Sequence, residues 1–281
     1  MAEERQDELE KLHSQILESI SASMVRYEKM REKQLSGIEL KPGCRLSQIN
    51  AEANGLFVDR ILALFDSAKD SLDACMRLLA MHRASRSPEL ILLRSSLESS
   101  SYMIWLLSLP RIEDQVFSSL RLIKEETKNV EDALRKRGGD LPAPAPVITE
   151  TLEWIDHRLE ELRPGKSDSK MVPKSKVVEN GDKYYRKDGR ERANDTGEAA
   201  WRVCSAVAHG NITVFYATAG NNASSHSNYN CERMLWETTA RDAILASAFT
   251  PAVENIEYCM DLYERSAISP MPNRSTEKHS C

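Results

Sequence analysis

The amino-acid sequence predicts an all-α protein, an up-and-down helical bundle preceded by an extra long N-terminal helix. Three observations lead there. Apolar residues recur every three or four positions over long stretches, while the two-residue alternation of strands is scarce. Gly and Pro are few, eleven each in 281 residues. Charged residues make up 29% of the chain, which suits the solvated faces of many amphipathic helices.

The elements follow in order. From residue 3 to about 35, Leu9, Leu12, Ile16, Ile20, Met24 and Tyr27 form one narrow apolar stripe on a charged helix, suited to packing in a bundle or to a dimer-forming coiled coil. Lys41-Pro-Gly-Cys-Arg45 breaks it, so residues 1–40 stand as an N-terminal helix and 41–266 as the bundle domain. A core helix is expected from about Ser47 to Arg86, through Ile49, Phe57, Ile61, Phe65, Leu72 and Cys75. Ser87-Pro88-Glu89 supplies a capping hydroxyl, a Pro at the first helical position and an early acid, and opens a helix that Leu109-Pro110 stops. A charged helix over 111–137 ends at Gly138-Gly139, the Pro-rich run 140–146 is a stiff connector, and a short helix covers 149–162.

Residues 163–195 read as a basic loop insertion, rich in Lys and Arg, with Tyr184 and Tyr185; as a mobile arm it would contact phosphates while the tyrosines stack on bases. Asp195 and Glu198 resemble a capping box that starts the next helix. A polar loop spans 220–230, the last helix runs from about Cys231 to Arg265 with Pro251 expected to kink it, and 267–281 is expected to be a disordered tail.

Composition narrows the function classes. A net charge of -5 argues against coating nucleic acid through bulk electrostatics, leaving only a local patch for that purpose. No apolar run approaches the roughly 20 residues of a membrane span, and the N-terminus lacks the basic and apolar regions of a signal peptide, so the expected location is the cytoplasm, with no membrane partner. Six scattered cysteines without a Cys-x-x-Cys pair fit reduced thiols. The six histidines form no metal-ligand spacing and no phosphate-cradling Gly-rich loop follows a strand, so neither metal nor other cofactor is expected.

Chemistry concentrates in two places. On a helix, Glu198, Arg202, Ser205 and His209 share one polar seam between apolar flanks that carry Trp201, Val203, Cys204 and Val207, which suggests a mostly buried helix whose seam lines a cleft. In the helix opened by Ser87, Arg94 and Glu98 are four apart and are the only charges after Glu89; as a pair they are either an internal salt bridge or the second wall of that cleft. A Ser205/His209 pair has the spacing of nucleophile and base, but no nucleophile elbow accompanies it. A fixed guanidinium can hold a phosphate and neutralise charge growing on it, and an imidazole can move a proton to or from a ribose oxygen.

Arg202 and His209, six residues apart in between, resemble the Arg-x(4 to 6)-His motif of the HEPN superfamily, small helical domains that include RNA-cleaving toxins and defence nucleases. Val203 stands where the family nucleases usually carry a polar residue. A longer resemblance, over about 50–265, is to actinobacterial proteins with Arg-x-x-x-Glu before Trp-Leu and then Ser-x-x-x-His-Gly. Here these are Arg94, Glu98, Trp105-Leu106, and Ser205, His209, Gly210. The HEPN resemblance implies a HEPN-like bundle and a metal-independent ribonuclease or RNA-binding protein of toxin or defence type; the longer resemblance brings no known activity but puts Arg94, Glu98, Ser205 and His209 ahead of Arg202 in a site of His209, Arg94, Glu98, Arg202 and Ser205. The implied partners are RNA and either a cognate antitoxin or a second copy of the chain. The alternative is a non-catalytic helical interaction module in which the same residues form a buried network; a pocket for a nucleotide or small anion is a third reading.

Overall fold

A computed structural model describes residues 2–81, 87–136, 146–166, 171–192, 196–210 and 231–269. Among the described residues the chain is all-α, with no strand. The helices are α1 (Ala2–Arg31), α2 (Arg45–Glu52), α3 (Leu56–Ala80), α4 (Ser87–Ser108), α5 (Ile112–Lys136), α6 (Pro146–Leu162), α7 (Lys174–Lys187), α8 (Gly197–Ala208) and α9 (Cys231–Ile268), with a 3-10 turn at Leu35–Gly37. The connector at 140–145, the polar loop 220–230 and residues 270–281 lie outside the described residues. No helix among the described residues is long and apolar enough to cross a membrane.

The chain forms two compact units. The first comprises 1–34, 64–105 and 174–261, and the second 35–63, 106–173 and 262–281. In the first, α1 buries Ile20, Tyr27 and Met30, although Leu12, counted in its apolar stripe, stays exposed. Polar ties hold α1 to its neighbours: Ser23 shares a 2.9 Å hydrogen bond with Thr250, and the Tyr27 hydroxyl donates to Asp73 at 2.9 Å. This is packing within one chain, the bundle role of the two the stripe allowed. Phe65, Ala68, Leu72 and Cys75 of α3, and Leu90, Leu93 and Leu97 of α4, complete the core. Each large aliphatic or Phe side chain buried this way contributes about 1.5–3 kcal/mol.

In the second unit α5 packs against α2 and α6. The end of α4 shows how the Leu109-Pro110 stop is satisfied. The buried Gln115 amide donates to the Leu106 and Leu107 carbonyls at 3.0 and 3.1 Å, and Arg45 Nη2 donates to those of Leu109 and Pro110, both at 2.8 Å. The Leu106 and Leu107 carbonyls would otherwise be orphans of the helix terminus.

Two element expectations are corrected. The helix expected over 47–86 is two helices, because Asn54 and Gly55 take left-handed φ of 51° and 86° and turn the chain between Glu52 and Leu56. The Asn50 side chain then accepts from Val58 N at 3.0 Å at the start of α3. The basic loop expected over 163–195 contains α7, whose buried Val177, Val178, Gly181, Asp182 and Tyr185 fall at helical spacing. In α9, one helix continues through Pro251 to Ile268.

Candidate functional site on helices α4 and α8

The local chemistry of α8 begins at Thr196, not Asp195: the Thr196 hydroxyl accepts from Ala199 N at 3.1 Å, an ordinary N-cap. The helix buries Gly197, Ala200, Cys204 and Val207 at i, i+3, i+7 and i+10. Glu198, Arg202, Ser205 and His209 therefore fall on its opposite side, and the expected mostly buried helix is corrected to a half-buried one. Arg202 is exposed, Trp201, Val203 and Ser205 are half-buried, and His209 is the exposed C-cap, its N–H bonded to the Ser205 carbonyl at 3.1 Å. Small and aromatic side chains tolerate partial exposure, so the apolar flanks did not require a buried helix.

The two sequence motifs meet. Arg94 Nε donates to Ser205 Oγ at 2.9 Å, and the Trp201 indole N–H donates to Glu98 Oε2 at 3.4 Å. As the α4 partner advances from 94 to 98, the α8 partner retreats from 205 to 201, so the helices run antiparallel here. Glu98 also faces Arg94 Nη2 at 3.6 Å and receives Lys174 Nζ, from α7, at 2.5 Å. Two donors and a facing guanidinium, from three helices, thus converge on one carboxylate whose side chain is 16% exposed. The Arg94 guanidinium carbon also lies 5.8 Å from the centre of the Trp201 ring.

Arg94, Glu98 and Ser205 therefore form one connected group, which Lys174 and Trp201 complete. Arg202 is not part of it. Its Nε and Nη2 donate to Glu198 Oε1 at 2.9 and 2.7 Å, an exposed pair along α8 itself. His209 stands one turn beyond Ser205, about 6 Å further along the helix axis by α-helical rise. Cys204, beside Ser205 in sequence, is buried, and burial pushes its thiol up to about 12, so it is a protonated core thiol and not a nucleophile.

A second polar cluster, with no counterpart among the sequence motifs, lies buried in the same unit. Arg192, its side chain 6% exposed, donates to Asp182 at 2.7 and 3.0 Å, to Glu254 at 3.1 Å and to Asn255 at 2.6 Å. Asn255 in turn donates to Ser100 of α4 at 3.1 Å. Asp182 also accepts from the backbone N–H groups of Gly197 and Glu198, at 3.1 and 2.6 Å, so a carboxylate on α7 holds the first turn of α8. At Gly197 a Cβ would lie 2.9 Å from Asp182 Oδ1, which is why this first position of α8 has no side chain. The network fixes the helix that presents Ser205 and His209.

It also corrects the expectation that the basic segment is an arm with base-stacking tyrosines. Tyr185 is buried, with the Arg192 guanidinium 4.2 Å from its ring centre and the Tyr258 ring at 5.1 Å, edge to face. The alternation of Val177-Val178, Gly181-Asp182 and Tyr185 is the signal that marks α7; nothing in sequence pairs Arg192 with Glu254, which are 62 residues apart. Cys44, Cys75, Cys204 and Cys259 are free thiols. No family model matches the chain, and no curated protein or solved structure matches it significantly.

Proposed function

We propose that the α4–α8 face binds RNA and that the chain is a metal-independent endoribonuclease or RNA-binding component of toxin or defence type, built on a HEPN-like bundle and acting in the cytoplasm. The observation that supports the reading most is the Arg94–Ser205 hydrogen bond, which joins the Arg-x-x-x-Glu and Ser-x-x-x-His motifs on one half-exposed surface with His209 one turn away. In this reading Arg94 holds a phosphate and neutralises its growing charge. The ribose 2′-hydroxyl attacks phosphorus and the P–O2′ bond forms as P–O5′ breaks; His209 either takes the 2′-hydroxyl proton or gives one to the departing 5′-oxygen, water completes the other transfer, and a cyclic phosphate is left. Glu98 positions Arg94 through an ion pair at 3.6 Å and Lys174 and Trp201 through hydrogen bonds. Arg202, tied to Glu198, takes an accessory place at the rim. A cognate antitoxin, or a second copy of the chain, is the protein partner of this reading.

The test compares wild type with His209→Ala at matched folded yield, following RNA cleavage in EDTA and the appearance of 2′,3′-cyclic phosphate ends. Loss of roughly 100-fold or more is expected for His209→Ala, the usual contribution of a general acid or base. Equal cleavage by the two proteins, or no cleavage by wild type, rejects a catalytic role.

A second reading rests on a specific observation: both guanidinium groups of the predicted site already face carboxylates, Arg94 beside Glu98 and Arg202 beside Glu198. On that reading the chain is a non-catalytic helical interaction module, the cluster ties α4, α7 and α8 together, and His209→Ala changes nothing while Glu98→Ala lowers stability.

A further inference from the structure

The outer face of α7 remains outside the site so far described. With 100° per residue, Lys176, Lys183, Arg186 and Lys187 fall within a sector of about 100° on the side away from Val177, Val178, Gly181 and Tyr185. All four are exposed, and the one carboxylate among them is Glu179. Glu179 receives Lys176 at 2.9 Å and Lys183 at 2.5 Å, which draw its carboxyl down to about 2. Four cations against one carboxylate is a concentrated positive stripe in a chain whose net charge is -5. The same helix borders the α4–α8 face from its other side, where Lys174 reaches Glu98 and Asp182 binds the first turn of α8.

We propose that this stripe is a track for the phosphate backbone of single-stranded RNA that leads to the α4–α8 face, an inference that rests on the RNA reading of that face. A rigid row of cations on a helix surface binds phosphates without sequence preference and releases condensed counterions as it does so. The competing polyanion, an anionic membrane, is disfavoured by α7 itself: the apolar residues Val177, Val178 and Tyr185 are buried inside the unit, so the helix has no apolar flank to insert between lipids. Tyr185 takes no part, since it is internal.

The test uses the full chain and a fluorescein-labelled 12-nucleotide 2′-O-methyl RNA, which binds but lacks the attacking hydroxyl. Anisotropy titrations are run over a salt series for wild type and for Lys183→Gln/Arg186→Gln/Lys187→Gln, with circular dichroism establishing that the variant retains its helices. The triple variant is expected to bind at least tenfold more weakly at low salt. Its log–log salt slope should flatten by about 2, because each phosphate no longer neutralised takes roughly 0.7 from the slope on a single strand. An unchanged affinity and slope overturns the track. So does wild type that ignores RNA, whether or not it binds phosphatidylserine vesicles. Failures of the two readings are separable: if His209→Ala cleaves like wild type while the α7 variant loses RNA affinity, catalysis falls and the track stands. The reverse pattern removes only the track.

Discussion

The two polar clusters of the first unit differ in how charge is housed. On the α4–α8 face, Arg94 and Glu98 have side chains 27% and 16% exposed and share their bonds with Ser205, Trp201 and Lys174. Around Arg192, the guanidinium and its partners Asp182 and Glu254 are at most 6% exposed, with Asn255 and the Tyr185 ring beside them. The first arrangement keeps its charges within reach of a ligand. The second has withdrawn its charges from water and uses them to hold α7, α8 and α9 together. The chemically suggestive cluster is therefore the shallower one, and the deeper one supports it.

The largest expected effect separates them directly. Arg192→Ala leaves Asp182 buried without its cation and Glu254 with Arg26 at 3.8 Å, and is expected to cost about 3–5 kcal/mol in urea unfolding. Arg94→Ala removes a half-exposed cation whose partner Glu98 keeps Lys174 and Trp201, and is expected to cost about 1 kcal/mol. If the two variants lose equal stability, the α4–α8 face is a core network like the other and the interaction-module reading gains.

The smallest effect concerns the outer face of α7. Because the Glu179 carboxyl is held at about 2 in the folded chain against an ordinary 4.5, its ion pairs contribute fully above that ordinary value and are lost as pH falls from there toward 2. Circular dichroism of wild type and Glu179→Gln over that interval should show a slight acid-side loss of helix in wild type that the variant lacks. Identical acid profiles would mean the Lys176 and Lys183 pairs add nothing at this exposed site.

Periodicity carried most of the helices. The stripe of α1, the Ser87-Pro88 start of α4, the stop before Pro110 and the span of α5 are local patterns, and each lies close to where the spacing put it. The break between α2 and α3 was also written locally, in Asn54-Gly55, where an unbroken apolar period ran across it and masked the turn dipeptide. At the site, the separation of four between Arg94 and Glu98 and between Ser205 and His209 picked out two helical surfaces that meet through the Arg94–Ser205 hydrogen bond. The same reasoning gave Arg202 a place in that group, whereas its guanidinium pairs with Glu198 along α8.

The sequence by itself determined that this chain is helical and which polar residues interrupt its apolar helices, because backbone hydrogen bonding and side-chain period are properties of neighbours within a few residues. Only the tertiary structure decided which charges would be buried. Arg192 lies ten residues from Asp182 and 62 from Glu254, in a stretch whose composition reads as solvated and basic. A buried charge is tolerated only where partners from other helices surround it, and that arrangement exists only once the helices have packed.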